Sequence, residues 1–364
     1  MKRVLALTTL KVVTVAVLMA SASAQAALTP LTALETLQQF NAVVLGDLTS
    51  TNHIDGRTYV EGTLTGVQNA VFDMHPEHVV ASNYAGLTVR GIVQAGQPVP
   101  AYAVSNAQVS ANGAVVFGNS KDLGVNNGNS AVYGNTQNTS FNGTGSYYVS
   151  GTSNGGNLNV TKVLNVTPGT VQYTNTEAAT STDFKGVLGG LSNQLKSLTA
   201  TSSVSVVGEQ AYFSVVAHNG VAVFDLSDSL FDGSIKRFSF TGLDSATTVI
   251  FNTGVTSADF AIDFQDSAAV NYGSKMLWNF YGASDLTIHN QFGGSILATD
   301  ATLTNYQNIE GGVYVSTLNH NGEIHGQNFT GSIPAVPEPA TYAMLLAGLG
   351  LIGMTGRAAR RRRQ

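Results

Sequence analysis

Three aspartates in one short stretch are the strongest candidates in this sequence for binding a hard cation. Asp225, Asp228 and Asp232 lie in the segment DLSDSLFDG. Calcium prefers carboxylate oxygens, but the spacing is not that of an EF-hand loop, and the glutamate that ends such a loop is missing. The residues favour a solvated acidic loop, with calcium as the alternative. We expect no cofactor.

Histidines provide two further candidates for metal binding. His320 and His325 flank Glu323 and could approach each other across a turn, but a metal site needs a third ligand that the sequence does not place. The segment His75-Pro76-Glu77-His78 cannot be a helical zinc pair, because the spacing differs and a proline intervenes. We predict a solvated loop there.

One segment matches a hydrolase pattern. Gly151-Thr152-Ser153-Asn154-Gly155 fits G-x-S-x-G. A nucleophile elbow needs a strand before the serine and a helix after it, whereas glycine and asparagine surround this copy. The sequence therefore predicts a turn at this position. No catalytic residue is predicted, and we expect a protein that is not an enzyme.

The elements that would position these residues are mostly short strands. Runs of β-branched or aromatic residues end at Gly, Asn or Ser, as in GLTVRGIVQAG from Gly86 and AQVSANGAVVFGNS from Ala107. The runs recur irregularly, and no strict repeat is visible. Asn and Gly suit the corners of a coil, and Val, Ile, Leu and Phe suit its interior. We therefore predict a mainly β fold, an irregular parallel β-helix (a β-solenoid), with a β-sandwich as the alternative.

Two segments have helical periodicity. Thr29 and Pro30 suit the cap and first position of a helix that continues through Leu31 to Phe40. A stronger stripe follows a cap at Ser181 or Thr182, and it predicts one α-helix packed along the side of the solenoid. The residues of that stripe are Phe184, Val187, Leu188, Leu191, Leu195 and Leu198.

Residues 1–26 have the order of parts of a signal peptide. Lys2, Arg3 and Lys11 precede or border an apolar core at Val12–Ala20, and small residues that fit the A-x-A cleavage pattern follow. Export is therefore expected. The chain has no cysteine, so no disulfide contributes to its stability.

The C-terminal residues have the pattern of a membrane anchor. Thr341–Gly356 carries no charge and would span about 24 Å as a helix, which predicts a C-terminal transmembrane helix. Pro337 and Pro339 mark its outer boundary. Positive residues beside a span remain in the cytoplasm, so an arginine cluster would stop the anchor on that side. Its members are Arg357, Arg360, Arg361, Arg362 and Arg363.

Residues 335–364 resemble the PEP-CTERM sorting signal. Pro337-Glu338-Pro339 comes first, then the apolar span and then the arginines. The resemblance implies a Gram-negative bacterium that makes exopolysaccharide, and processing by an exosortase. The helix would be a transient anchor in the inner membrane, and the protein would then reach the cell surface or the extracellular matrix.

Residues 27–334 resemble the choice-of-anchor A domain, and we expect one continuous β-rich extracellular domain. The resemblance implies an adhesive, β-helix-like domain, and it transfers no catalytic residue. Its motifs lie near the two ends of the body: FNAVVLGDL from Phe40, IDGR from Ile54, VEG from Val60, LWNF from Leu277, GSILA from Gly294, IEGGVY from Ile309 and GEIH from Gly322.

The charge of the body excludes some partners. The chain has 17 basic and 22 acidic residues, and without the leader and the arginine cluster nine basic residues remain, a net charge near −13. Such an acidic surface excludes nucleic acid and anionic membrane surfaces as partners.

These observations predict an exported, non-enzymatic surface or extracellular-matrix protein with an adhesive or scaffolding role. Exopolysaccharide or other surface glycans are the expected partners. One alternative is a polysaccharide-acting enzyme on a β-helix, which needs paired carboxylates or basic residues in a cleft. The other is a glycan- or ice-binding module with regular ladders of threonine or aromatic residues, and no such ladder is visible in the sequence.

Overall fold

The larger sheet consists almost entirely of parallel strands that pair from one coil to the next. The computed structural model describes residues 28–67, 70–78, 80–93 and 96–334, so the predicted leader, sorting motif, transmembrane helix and arginine cluster lie outside the described residues. The strands of the first half are β1 Ala42–Val44, β2 Leu48–Ser50, β3 His53–Ile54, β4 Thr58–Val60, β5 Leu64–Gly66, β6 Val71–Phe72, β7 Leu87–Val89, β8 Val104–Val109, β9 Ala114–Val116, β10 Ser120–Val125, β11 Ser130–Val132, β12 Thr136–Gln137, β13 Ser140–Phe141, β14 Ser146–Val149, β15 Ser153–Asn154 and β16 Thr161–Lys162.

The second half follows a helical segment and again consists mainly of short strands. A smaller four-stranded sheet lies at its beginning, made of β17, β18, β20 and β23. The strands are β17 Ser203–Val207, β18 Gln210–Ser214, β19 Val221–Leu226, β20 Arg237–Thr241, β21 Thr248–Thr253, β22 Ser257–Phe260, β23 Asp263–Phe264, β24 Met276–Phe280, β25 Asp285–Ile288, β26 Phe292–Gly293, β27 Ser295–Asn305, β28 Ile309–Glu310, β29 Val313–His320 and β30 Ile324–His325.

The coils stack into three faces. Face A consists, in spatial order, of β19, β21, β24, β27, β29, β1, β4, β7, β9, β11, β14 and β16. Face B consists of β22, β25, β27, β29, β2, β5, β8, β10, β12 and β15. Face C consists of β26, β28, β30, β3, β6, β8, β10 and β13.

The solenoid is discontinuous, because its first and last coils meet in the middle. Strand β1 pairs with β4 on one side and with β29 on the other, with Ala42 opposite both Thr58 and Val313. The first half therefore winds away from this seam, and the second half winds back towards it from the opposite end. The helical segment between the halves connects the two ends.

Among the described residues, four α-helices accompany the coils: α1 Ala33–Gln39, α2 Val171–Ser181, α3 Phe184–Lys196 and α4 Ala268–Tyr272. The N-cap of α1 is Thr32, whose side chain forms a capping box with Glu35, so the expected cap at Thr29 is wrong. The N-cap of α3 is Asp183, so the cap predicted at Ser181 or Thr182 is wrong by one or two residues.

Helices cover face A. The apolar side of α3 packs on outward-facing residues of the second half and of the seam, among them Ile250, Leu277 and Tyr314. A buried polar contact fixes the helix, because Asn279 Nδ2 donates to the Ser192 carbonyl (2.9 Å) and Asn252 Nδ2 to the Leu195 carbonyl (2.8 Å). The predicted helix beside a parallel β-helix is confirmed, and α2 is a second one that periodicity did not indicate.

The interior is apolar and partly ordered by stacked aromatic rings. Phe224, Phe251 and Trp278 occupy successive positions of one register, and the rings of Phe251 and Trp278 stack with centroids 3.8 Å apart. The parallel pairing between coils shows that the β-sandwich alternative is wrong, since a sandwich is built from two separate antiparallel sheets.

Stacked corners hold the coils in register. At one corner, Gly118, Gly134 and Gly151 lie directly above one another, and each is followed by a polar residue. The backbone N–H of Asn135 donates to Asn119 Oδ1 (2.9 Å), and that of Thr152 donates to Asn135 Oδ1 (2.9 Å). Asparagine ladders of this kind satisfy corner N–H groups that have no strand partner.

One histidine is enclosed in the core. His320, at the end of β29, is 1% exposed, and its Nδ1 lies 2.8 Å from Ser50 Oγ. Desolvation lowers the pKa of His320 to about 3. The side chain is therefore neutral in the folded protein at physiological pH.

Within the described ranges, no helix is both long and apolar enough to cross a membrane.

We expect Gly134→Ala to lower the free energy of unfolding by about 2 kcal/mol, the usual scale for overpacking. The added Cβ would collide with the Gly118 carbonyl oxygen of the coil below. Urea unfolding measures the change. The control is Gly189→Ala in α3, where the added Cβ meets open space and the change should stabilise the helix by up to about 1 kcal/mol. Equal stability of the two variants would contradict stacked glycine corners.

We expect the His320→Gln variant to lose less free energy of unfolding than the wild type when the pH is lowered. In the unfolded chain His320 takes up a proton below about pH 6.5, whereas in the folded protein it stays neutral to about pH 3. Because the unfolded state then binds more protons, stability falls between these values by about 1.4 kcal/mol per pH unit. Urea unfolding at pH 7.5 and 5.0 should show a loss about 2 kcal/mol smaller in the variant than in the wild type. His218→Gln, at an exposed position, should leave the loss unchanged.

Candidate functional site

Face B carries an ordered row of polar side chains that point out of the solenoid. The central residues of its strands are paired in register from coil to coil. Eight of the ten are Thr, Ser, Asn or Gln, and the inward-facing neighbours keep the row straight. In spatial order the row is Asp259, Thr287, Thr304, Asn319, Thr49, Thr65, Ser105, Lys121, Gln137 and Asn154.

A second row runs parallel to the first, two residues earlier in each strand. Ser257, Asp285, Thr302 and Thr317 are paired in register, and Asp47 and Thr63 continue the row at the corner before β2 and β5. The two rows follow from short sequence copies with a central leucine, which are DLT at 47 and 285, TLT at 63 and 302, and TLN at 317.

The central leucines explain why the rows stay aligned. Successive side chains of a strand point to opposite faces, so the residue between two outward positions points inward. Leu286, Leu303, Leu318, Leu48 and Leu64 are all buried. A slip of one residue would bury the hydroxyls and expose the leucines, so the core fixes the register of the outer rows. A ladder of mixed polar side chains, with threonine at four positions of the central row, is therefore present in the structure although no ladder was visible in the sequence.

Two features border the exposed part of face B. In the first half, Tyr102 crosses the face, since its hydroxyl donates to Gln137 and its ring lies 5.9 Å from Lys121 Nζ. In the second half, the ring of Tyr306 stacks on His289 at 5.2 Å and is 53% exposed. The central row is therefore uncovered from Asp259 to Ser105, with an exposed aromatic ring at its edge. Beside it, Val93, Gln97, Pro98 and Pro100 form a cleft with Asp47, Thr63 and Thr317 of the second row.

A second group of functional side chains lies where the two halves meet. Ligand atoms of His53, Glu323 and His325 all lie within 4.8 Å of one another, and among the described residues no other group of three His, Asp or Glu does so. His325 Nδ1 is 2.9 Å from Glu310 Oε1 and its Nε2 is 2.9 Å from Glu323 Oε2. The hydrogen bond with Glu310 raises the pKa of His325 to about 9.

The structure separates some residues that the sequence placed together. His325 and Glu323 share a cluster, but His320 points into the core and takes no part, and His53 is the third group that the sequence did not place. His53 is some 270 positions away in the chain, so local spacing holds no signal for it. Only the pairing of the first and last coils could have indicated it.

The remaining candidates do not form a joint site. Asp225 is on β19, Asp228 begins a short 3₁₀ helix, and Asp232 accepts the Ser234 N–H at 2.8 Å, and the three do not form a mutual cluster. The segment 76–78 is an exposed single 3₁₀ turn. In the segment Gly151–Gly155, Gly151 lies at a corner and Ser153–Asn154 form the two-residue strand β15, so the serine is on a strand and not in the predicted turn.

A β-solenoid with one helix-covered face and one long exposed polar face belongs to a class whose stacked repeats create extended binding surfaces. The family profile described as "Putative Ice-binding-like adhesive domain" matches residues 33–326. The chain therefore belongs to the ice-binding-like adhesive domain family. The resemblance to choice-of-anchor A domains stays a prediction.

The C-terminal sorting signal is confirmed, because the PEP-CTERM protein-sorting motif matches residues 335–363. The motif supports export to the cell surface and implies processing by an exosortase-type sorting system. Comparison with curated proteins and with solved structures gives no match.

Proposed function

We propose that this protein is a non-enzymatic adhesin of the cell surface or extracellular matrix, and that it docks through face B onto polysaccharide. The observation that carries the proposal is the pair of in-register hydroxyl rows. Strands of neighbouring coils lie about 4.8 Å apart, and alternate residues of one strand about 7 Å apart, so face B repeats the same donors and acceptors on a fixed grid.

A repeating ligand suits a repeating surface. Each hydroxyl contact is weak, because it replaces a hydrogen bond to water. A polymer or ordered surface with many hydroxyls can engage several coils together, and the linked contacts then add to a high avidity. The exposed ring of Tyr306 adds an amphipathic platform at the edge of the same face.

Two observations support a binding role over catalysis. The matched family is described as adhesive. Burial raises the pKa of the Asp73 carboxyl to about 6, in the range useful for acid–base catalysis, but this residue is fully enclosed in the core and cannot reach a polymer.

The combined substitution Thr49→Val, Thr65→Val and Thr304→Val should weaken polysaccharide binding at least tenfold. Valine keeps the shape and the strand preference of threonine but removes the hydroxyl. Co-sedimentation with microcrystalline cellulose and retention on immobilised alginate measure binding, and partition into slowly growing ice is measured in parallel.

The matched control is Thr161→Val, Thr180→Val and Thr199→Val, at exposed positions outside the two rows. It should bind as the wild type does. Equal binding by the two triple variants would contradict docking through the hydroxyl rows. Partition of the wild type into ice with no binding to either polysaccharide would instead favour the ice-binding alternative.

We further propose that an exosortase cuts the chain near Pro337-Glu338-Pro339 in an exopolysaccharide-producing bacterium, and that the arginine cluster holds the C-terminus in the cytoplasm until then. The match at residues 335–363 supports this. Moving each arginine through the membrane costs about 3 kcal/mol on insertion scales, so five together oppose translocation.

Replacing Pro337 and Glu338 by alanine should block processing and leave the protein anchored, whereas replacing the arginines by glutamine should weaken retention. Mass spectrometry of the extracellular protein reads the mature C-terminus. Pro100→Ala with Glu77→Ala, outside the motif, is the control and should be processed normally. A wild-type extracellular protein that still carries residues 345–364 in an exosortase-competent host would show that the segment is a permanent anchor.

A further inference from the structure

The cluster of His53, Glu323 and His325 lies at the weakest part of the seam. On face A, the three residues Ala42–Val44 of the first half pair with β29 of the second half. On face B, the three residues Leu48–Ser50 pair with β29 in the same way. On face C only Ile54 pairs with Ile324 across the seam. The clustered side chains flank this single pair, so they connect the first coil with the last where the backbone contributes least.

Both imidazoles are placed in the same way. One ring nitrogen of each faces Glu323, with His325 Nε2 2.9 Å from Oε2 and His53 Nδ1 3.8 Å from Oε1. The other ring nitrogen faces a buried carboxylate. For His325 this is Glu310 at 2.9 Å, and for His53 it is Asp55 at 3.5 Å. Histidines that bind metals usually have their second nitrogen oriented by a carboxylate in this manner.

One of the two buried carboxylates, that of Asp55, lacks a full set of hydrogen-bond partners in this arrangement. Asp55 is 5% exposed, and its Oδ2 accepts the Gly326 N–H at 2.9 Å, but its Oδ1 has no hydrogen-bond partner among the described residues. That oxygen is the one that faces His53. A buried carboxylate oxygen without a partner is costly, and a cation on the far side of the imidazole would compensate it.

We propose that His53 Nδ1, the Glu323 carboxylate and His325 Nε2 bind a zinc-class divalent cation, with Asp55 and Glu310 orienting the two imidazoles. Ligand atoms about 2.1 Å from a tetrahedral zinc lie about 3.4 Å apart. The distances from the Glu323 oxygens to His325 Nε2 (2.9 Å) and to His53 Nδ1 (3.8 Å) bracket this value. Two imidazoles with a carboxylate select zinc over calcium, which binds through oxygens.

The three ligand side chains are each partly exposed, so a water molecule would complete the coordination. His325 also lines a neighbouring surface cleft of about 530 Å³ together with His75 and His78. The cation would then link three parts of the chain that are distant in sequence, and it would brace the junction between the two halves of the solenoid.

Calorimetric titration of the purified exported protein with Zn²⁺, after removal of metal with EDTA, tests the proposal. One Zn²⁺ per chain should bind, and the Tm should rise with Zn²⁺ concentration, because a ligand that binds the folded state stabilises it. Ca²⁺ at the same concentration should leave the Tm unchanged. His53→Gln and His325→Gln should each weaken Zn²⁺ binding at least 100-fold, and Glu310→Gln about 10–100-fold.

The control is His289→Gln, which alters a histidine–carboxylate pair away from the seam and should bind Zn²⁺ as the wild type does. If the histidine variants fail to fold, Co²⁺ absorption spectra of the wild type and of Glu323→Gln provide the same test, and the intense tetrahedral bands should be lost in the variant. Failure of the wild type to take up one Zn²⁺, unchanged affinity in both histidine variants, or preference for Ca²⁺ would each overturn the proposal.

Discussion

The pairing of β29 with β1 and β2 is the interaction on which the rest of the molecule depends. It joins residues some 270 positions apart and places the last long strand beside the first. Since the two halves approach this seam from opposite ends, the connection between them has to return along the solenoid. Helices α2 and α3 lie on that return path and cover face A, which leaves face B free. The closed seam therefore determines which surface remains available for binding.

The fixed distance between coils gives the chain both its stability and its surface pattern. Backbone pairing imposes the same spacing on buried leucines, on stacked aromatic rings and on outer hydroxyls. With no cysteine in the sequence, the cohesion of the described part rests on these ladders and on the corner glycines and asparagines. A body with few charges suits such stacking, because like charges on neighbouring strands at one register position repel each other.

Local sequence patterns predicted the fold class and the main helix, but they could not predict long-range register. The stripe from Phe184 to Leu198 indicated α3, whereas Val171–Ser181 carries few large apolar residues, so α2 gave little signal. Glycines 46 and 62, and 118, 134 and 151, recur at 16 or 17 residues. The repeat is concealed because insertions separate other coils, such as Thr58 from its partner Leu87. The five copies that form the hydroxyl rows lie at both ends of the chain, and only closure of the seam brings them side by side. The same closure brings His53 to Glu323 and His325.

The described chain ends on the covered side of the solenoid. Ile333 packs in the cluster beneath α3, and Gln194 of that helix donates to the carbonyl of Pro334 at 2.7 Å. Any tether that continues from this point holds the molecule by the flank that the helices cover. Tension on the tether would then be borne by α3 and by β21, where Thr248 Oγ1 donates to the Ser332 carbonyl at 3.1 Å. An attached molecule would lie side-on to its support, with its opposite flanks turned to the surroundings.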